Sequence, residues 1–282
     1  MAGAYPTDLS RAKGAVHQIA GSGVSGAYPV DLGWDKGAAG NLTARGDTPV
    51  VESYAVVEDG SGTTMTITKP TGTAENDLLL GIGGLYIASD PAVVPPSGWS
   101  EDIESLYTAY HWGGIWHDIA GGSEGASYSW TWTGSATHSG GIVRISGADT
   151  SSPVDDVDVS ANGYGETGTC PSITTTVADC LILRVLIIHY LDPDDVTPPD
   201  GFTTIFGAGS NAAAPAVIVA SNEQQHIGAT GTADFTWTGA KVHKCYTIAI
   251  APAGGGGASA TVGRLVNGGL VNAGLVNRGL VG

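Results

Sequence analysis

Several short segments of this chain carry residue types that do chemistry elsewhere. Gly121-Gly122-Ser123-Glu124-Gly125 has the Gly-x-Ser-x-Gly spacing of a nucleophile elbow, which needs a strand before the serine and a helix after it. Ser127 to Thr133 reads instead as a strand, so a loop is expected there. His111 and His117 flank Trp112-Gly113-Gly114-Ile115-Trp116. On one straight strand both rings would share a face and could begin a metal site. Gly113-Gly114 is expected to bend the chain, however, and no third ligand is evident. Asp155-Asp156-Val157-Asp158 and Asp192-Pro193-Asp194-Asp195 concentrate carboxylates but lack the Gly-punctuated spacing of a calcium loop, so both read as solvated turns. Arg45-Gly46-Asp47 is an integrin-type tripeptide, a pattern common by chance. No phosphate-cradling Gly-rich loop and no set of nucleophile, His and carboxylate can be assembled. The chain is therefore expected not to be an enzyme and to need no metal or cofactor.

The remaining chemically suggestive residues are aromatic. Tyr128, Trp130 and Trp132 alternate with Ser and Thr and so share one strand face. Phe235 and Trp237 stand at the matched places further on, and such a face is expected to be the sheet–sheet core. Trp112 and Trp116 are the candidates for a surface contact with a glycan.

These residues sit in short β-rich runs separated by Gly, Pro, Asp and Ser. A hairpin is expected from 53–57 and 63–68 around Asp59-Gly60-Ser61-Gly62. Further strands are expected at 77–88, 105–112, 126–133, 140–146, 171–176, 180–190, 202–206, 214–220, 232–237 and 243–250. No helical pattern intervenes, so the fold class is all-β, a two-sheet sandwich of jelly-roll type.

The body repeats itself. Asp77-Leu78-Leu79-Leu80 answers to Asp179-Cys180-Leu181-Ile182, Pro95-Pro96-Ser97-Gly98-Trp99 to Pro198-Pro199-Asp200-Gly201-Phe202, and Trp130-Thr131-Trp132-Thr133-Gly134 to Phe235-Thr236-Trp237-Thr238-Gly239. Gly140 to Ile145 similarly answers to Lys244 to Ala249. One half alone would leave sheet edges to protect, so two internally repeated halves are expected to pair into one sandwich.

Four regions follow: a repeated extended arm (1–48), the sandwich (49–252), a Gly-rich linker (253–262) and a five-residue repeat tail (263–282). The arm holds Tyr5, Pro6 and Leu9, repeated as Tyr28, Pro29 and Leu32; the tail places Leu265, Leu270, Leu275 and Leu280 at a period of five. Two copies of one arm motif suggest two equivalent docking sites. Four tail units cannot bury a core alone, so the tail is expected to order against a partner or against copies of itself.

Charge sharpens this division. The 282 residues carry a net charge of −16. Residues 47–240 hold 24 of the 27 acids and only three bases, Lys69, Arg144 and Arg184. An acidic body repels nucleic acid and anionic membrane, so neither is an expected partner. Three cysteines without short spacing argue against a disulfide framework or a zinc site. The N-terminus has no apolar signal core, so synthesis in a cytoplasm without the usual secretory signal is expected.

Residues 70–252 resemble a β-sandwich domain of structural and tail-associated proteins of tailed bacteriophages. The resemblance rests on Asp77-Leu78-Leu79-Leu80, then Pro95-Pro96-Ser97-Gly98-Trp99, then Gly125 to Trp132, then Gly140 to Ala148, and on their second-half counterparts. It implies a virion-surface or appendage protein whose partners are other virion subunits and, in a homo-oligomer, its own copies. The arms would cement neighbouring capsid or tail subunits. The alternative expectation is a carbohydrate-binding adhesin on a head or tail fibre, contacting a host glycan.

Overall fold

A computed structural model of the chain describes residues 48–107, 110–161, 163–210 and 214–254. The arm residues Tyr5, Pro6, Leu9, Tyr28, Pro29 and Leu32, the tail residues Leu265, Leu270, Leu275 and Leu280, and Arg45-Gly46-Asp47 lie outside them.

The described chain is all-β. Its strands are β1 (Val50–Thr68), β2 (Leu78–Tyr86), β3 (Ser100–Tyr107), β4 (His111–Ile119), β5 (Ser127–Ser146), β6 (Val154–Val159), β7 (Gly163–Cys170), β8 (Thr174–Thr175), β9 (Cys180–His189), β10 (Thr203–Ala208), β11 (Pro215–Gln224), β12 (Gly228–Ala229) and β13 (Ala233–Ile250). A 3-10 turn, Pro193–Asp195, lies between β9 and β10. One antiparallel sheet has the order β1-β5-β2-β4-β3. The other has the order β6-β13-β9-β11-β10, with β7 also paired to β13. Reading β6 and β7 together as the counterpart of β1 makes the two orders identical. Each half of the sequence therefore builds one sheet, and among the described elements only the β5–β6 connection passes between the two main sheets. A jelly roll alternates between sheets, so that finer expectation is corrected while the two-sheet sandwich stands.

The central strands show why the halves need each other. β2 and β9 are buried along almost their whole length, as near-continuous apolar runs covered on both faces must be. Leu78, Leu80 and Ile82 point inward from one sheet and meet Leu183, Val185, Phe206, Val217 and Ile248 of the other in the sheet–sheet core.

Glycines let the sheets close together. A Cβ on Gly113 would fall 2.5 Å from the Tyr246 hydroxyl, and one on Gly141 2.6 Å from the Phe206 ring. The bend expected at Gly113-Gly114 is therefore corrected. The strand runs through both residues and uses the missing side chains for close approach.

The outer faces of the sheets are covered by the chain's own long ribbons. The expected hairpin at 53–68 is corrected: β1 continues through Asp59-Gly60-Ser61-Gly62 and pairs with β5 along its whole length, with register shifts at Val57/Gly60 and Gly62/Thr64. β5 likewise merges two expected strands. Bulges bend and twist a ribbon, and this one folds its distal part over its own sheet. Met65, Ile67, Tyr128, Trp130 and Trp132 there bury against Leu79, Leu85, Trp99, Trp112 and Trp116. β7 and the first part of β13 do the same in the second half, setting Cys170, Phe235 and Trp237 on Leu186, Ile188, Ala216 and Ile218. The repeated aromatics are core residues of these outer layers, not of the sheet–sheet interface.

Strand pairing also corrects the alignment of the repeat by one residue. Leu78 pairs with Ile145, and its structural counterpart Leu181 pairs with Ile250. Leu78 therefore matches Leu181, not Cys180, and Val143 matches Ile248. A one-residue slip exchanges inward and outward faces, so only this alignment is consistent with burial. It also matches Asn76 to Asp179, both held at positive φ (71° and 59°) just before their central strands. The turns before β3 and β10 agree: Gly98 and Gly201 sit at φ 96° and 78°, and Trp99 N and Phe202 N donate to Pro96 O and Pro199 O at 3.2 and 3.0 Å.

The sandwich has two distinct ends. Val50 pairs with Ser146, Ala148 bridges Pro252, and Asp149 N donates to Ala251 O at 2.9 Å. The chain therefore enters and leaves the sandwich at the same end. β2, nine residues long, carries Tyr86 about 26 Å away to the opposite end.

Candidate functional site

The far end of the sandwich holds a cleft of about 310 Å³ between the two sheets. Tyr86 reaches it from the last position of β2, His111 from the first position of β4 with Tyr110 just before it, and His189 from the last position of β9 with Tyr190 just after it. Tyr164 of β7 and Ala240 to Val242 of β13 close the other side. Strand ends converge here because β2 and β9 stop where β4 begins.

The aromatic rings pack on one another. Tyr86 stacks on His189 with centroids 4.4 Å apart and on Tyr110 at 5.5 Å. His111 meets His189 edge-on at 4.6 Å, and Tyr190 meets His189 at 3.7 Å. Tyr190 is held at φ 57°, a left-handed conformation that costs a side-chain-bearing residue about 1–3 kcal/mol. Three of these rings remain open to solvent: Tyr110 at 48%, Tyr164 at 74% and Tyr190 at 47%.

Beside the cleft lies a narrower space lined by Ser105, His111, Gly113, Ile187, Lys244 and Tyr246. Lys244, buried here, donates its ammonium to the Ser105 hydroxyl. Burial lowers the Lys244 pKa from its ordinary value. Burial, with a smaller contribution from His189, pushes His111 down to about 4, so its ring is neutral near pH 7. No described residue lining the cleft is acidic.

The other residues singled out by sequence have structural work. Trp112 and Trp116 are 3% and 0% exposed and lie 5.6 Å apart under the outer ribbon, so neither offers a face to a glycan; that expectation is corrected. Trp130 and Trp132 are buried in the same layer, with Trp99 edge-on to Trp130 at 5.0 Å. His111 and His117 do lie on one strand, but six residue steps place them about 20 Å apart. His117 pairs instead with Asp102 at 2.7 Å. Among the described residues no group of three or more His, Cys, Asp or Glu could hold a metal ion.

Ser123 is followed by strand β5, as expected. Glu124 in that loop accepts from Gly121 N at 2.6 Å and from the Tyr128 hydroxyl at 2.8 Å. The Asp155-Asp156-Val157-Asp158 run is not a solvated turn but strand β6. Asp155 and Asp156 accept from Thr176 N and Thr174 N at 2.7 and 3.0 Å, fastening β6 to the segment at β8. Asp192 accepts from Asp194 N at 3.1 Å and caps the 3-10 turn. The three cysteines are buried and unbridged.

The sequence contained one signal for the cleft, visible only in the corrected alignment: departure from the repeat. Tyr164, Tyr190 and Lys241 stand where the first half has Ser61, Ile87 and Ala136, and Tyr110 stands where the second half has Ala214. The two halves also differ at some buried positions, such as Gly84 and Ile187, but here the differences fall together around one opening.

No helix among the described residues is long and apolar enough to cross a membrane. No family model matches the chain, and neither a curated protein nor a solved structure was found to match it.

Proposed function

We propose that the chain is a virion structural protein of a tailed bacteriophage that decorates a capsid or appendage surface, anchored by its terminal segments. The observation that carries this reading is the common end at which the sandwich is entered and left, through the Val50–Ser146 and Ala148–Pro252 pairings. Arms leaving one end can grip a surface together while the body stands away from it. Two weak grips on one body act as one strong grip, because the second is intramolecular. The resemblance of residues 70–252 to sandwich domains of phage structural proteins supplies the kind of surface. The acidic body favours an outward orientation, since it disfavours contact with packaged nucleic acid.

The test is rebinding of tagged protein to particles of the phage that encodes it, lacking their own copy. The full chain should bind stoichiometrically. Chains lacking residues 1–46 or 258–282 should bind at least tenfold more weakly. Unchanged binding of the chain lacking both segments would overturn the anchoring role.

A further inference from the structure

The cleft at the end opposite the chain's exits has properties that core packing does not require. Three of the four tyrosines that stand out as exposed on the described body, Tyr110, Tyr164 and Tyr190, surround this one site. Tyr190 is kept there in a strained backbone conformation, at a position where Gly would carry no such cost. The rings arise where the two halves differ in sequence, so the repeated architecture does not account for them.

Charge singles out the same place. The described body has five basic side chains. Arg144 is paired with Asp77 at 2.6 Å, Arg184 is buried against backbone carbonyls, and Lys69 reaches Glu124 O. The other two, Lys241 and Lys244, sit at the cleft and just beneath it. In a body so rich in carboxylates, a lining without a described acid is a local reversal of charge.

We propose that this cleft binds a sugar acid, a saccharide residue bearing a carboxylate, with Tyr110, Tyr164 and Tyr190 against its C–H faces and Lys241 at its carboxylate. Tyrosine suits both parts of a pyranose, since the ring covers apolar C–H groups and the hydroxyl exchanges hydrogen bonds with sugar hydroxyls. Lysine supplies a point charge for the carboxylate. The size fits, since pockets for small ligands start near 300 Å³. The position fits as well, because a body anchored at one end presents the other outward. The binding itself needs no particle, so its test is independent of the anchoring proposal.

The experiment uses the full chain in solution with glucuronic- and galacturonic-acid oligosaccharides and N-acetylneuraminic acid as probes. Each is paired with its carboxyl-reduced counterpart, and binding is read by ligand-observed NMR and calorimetry. At least one acidic probe should bind, and its carboxyl-reduced form should bind at least about tenfold more weakly. Tyr164→Ala and Lys241→Ala should each weaken the acidic probe about fivefold or more, with unchanged thermal midpoints. Tyr164 is exposed enough that its truncation leaves the fold intact. No binding by any acidic probe at millimolar concentration would overturn the proposal. So would equal binding of the reduced counterparts, or binding indifferent to both substitutions.

Discussion

Tyr86 and His189 hold the same place in the two halves of the chain and stack on each other, centroids 4.4 Å apart and rings within 16° of parallel. They belong to different sheets. Matched residues can touch only where the halves are related by an approximate two-fold, so that axis passes between the ends of β2 and β9. Gly84 and Ile187, also matched, meet on the same line: a Cβ on Gly84 would fall 2.9 Å from Ile187 Cγ2. Both halves thus bring their strand ends to one place, where a cleft lined differently on each side becomes available.

The two-fold also repeats a three-residue packing unit. Trp132 meets His138 edge-on at 5.1 Å, and Trp237 meets His243 at 4.9 Å. Gly60 and Gly163 face those imidazoles so closely that a Cβ on either would fall 2.1 Å from the ring's Nε2. Gly60→Ala and Gly163→Ala should each destabilise by about 1–3 kcal/mol, through overpacking. Adding His138→Ala should restore part of the loss only in the Gly60 variant, and His243→Ala only in the Gly163 variant. Chemical denaturation of the two single and four double variants checks this.

Exposure separates structural from ligand-facing aromatics. Trp116→Ala removes a fully buried indole and should cost about 3–5 kcal/mol. Tyr164→Ala should fall within about 0.5 kcal/mol of the parent. Urea midpoints decide between them, and a large loss at Tyr164 would show that its ring is needed for folding.

Arg184 occupies the place of Gly81. In the first half Trp99 and Trp130 fill the space over that glycine, at 2.8 and 2.6 Å from a built Cβ. In the second half the guanidinium fills it, donating to Pro171 O at 2.6 Å, Gly231 O at 2.8 Å and the Thr247 hydroxyl, with Phe202 5.5 Å from its centre. Arg184→Ala should cost about 3–5 kcal/mol, because several buried acceptors lose charged donors together. Arg184→Lys should recover little, since one ammonium cannot span acceptors arranged for a planar fork. Full recovery by lysine in denaturant melts would mean that charge alone matters here.

Acid and base act on different groups. Burial, then Glu101 and Asp90, raises Glu104 from 4.5 to about 7. Between those values the folded protein holds a proton that the unfolded chain has released. The associated stability is present below pH 4.5 and lost as pH rises through 7, about 1–2 kcal/mol once its partial exposure is allowed for. Burial lowers His111 to about 4 and shifts His138 and His243 in the same direction. Their contribution is present above pH 6.5 and lost as pH falls below it. Glu104→Gln should therefore remove the decline of the thermal midpoint as pH rises from about 4.5 to 7 and leave the histidine-linked loss toward acid. A decline over that range that survives the substitution would assign it to another group.

Composition and periodicity were enough to determine an all-β chain, two related halves and their union in one sandwich. Those features rest on local propensity and on apolar runs such as Leu78 to Ile82 and Leu181 to Ile188, which can be stable only when covered on both faces. Trp130 and Phe235 were legible as buried, but not which layer they belong to. Only the register shifts in β1, which fold its ribbon back, place them on the outer faces. Trp112 and Trp116 resembled surface residues for the same reason, since the ribbon that covers them comes from elsewhere in the chain. The cleft was the least legible feature. Tyr86, Tyr110, Tyr164 and Tyr190 are scattered in sequence, and no local pattern joins them. The approximate two-fold through Tyr86 and His189 gathers them, because strand pairing and sheet packing are long-range contacts that set which distant residues become neighbours.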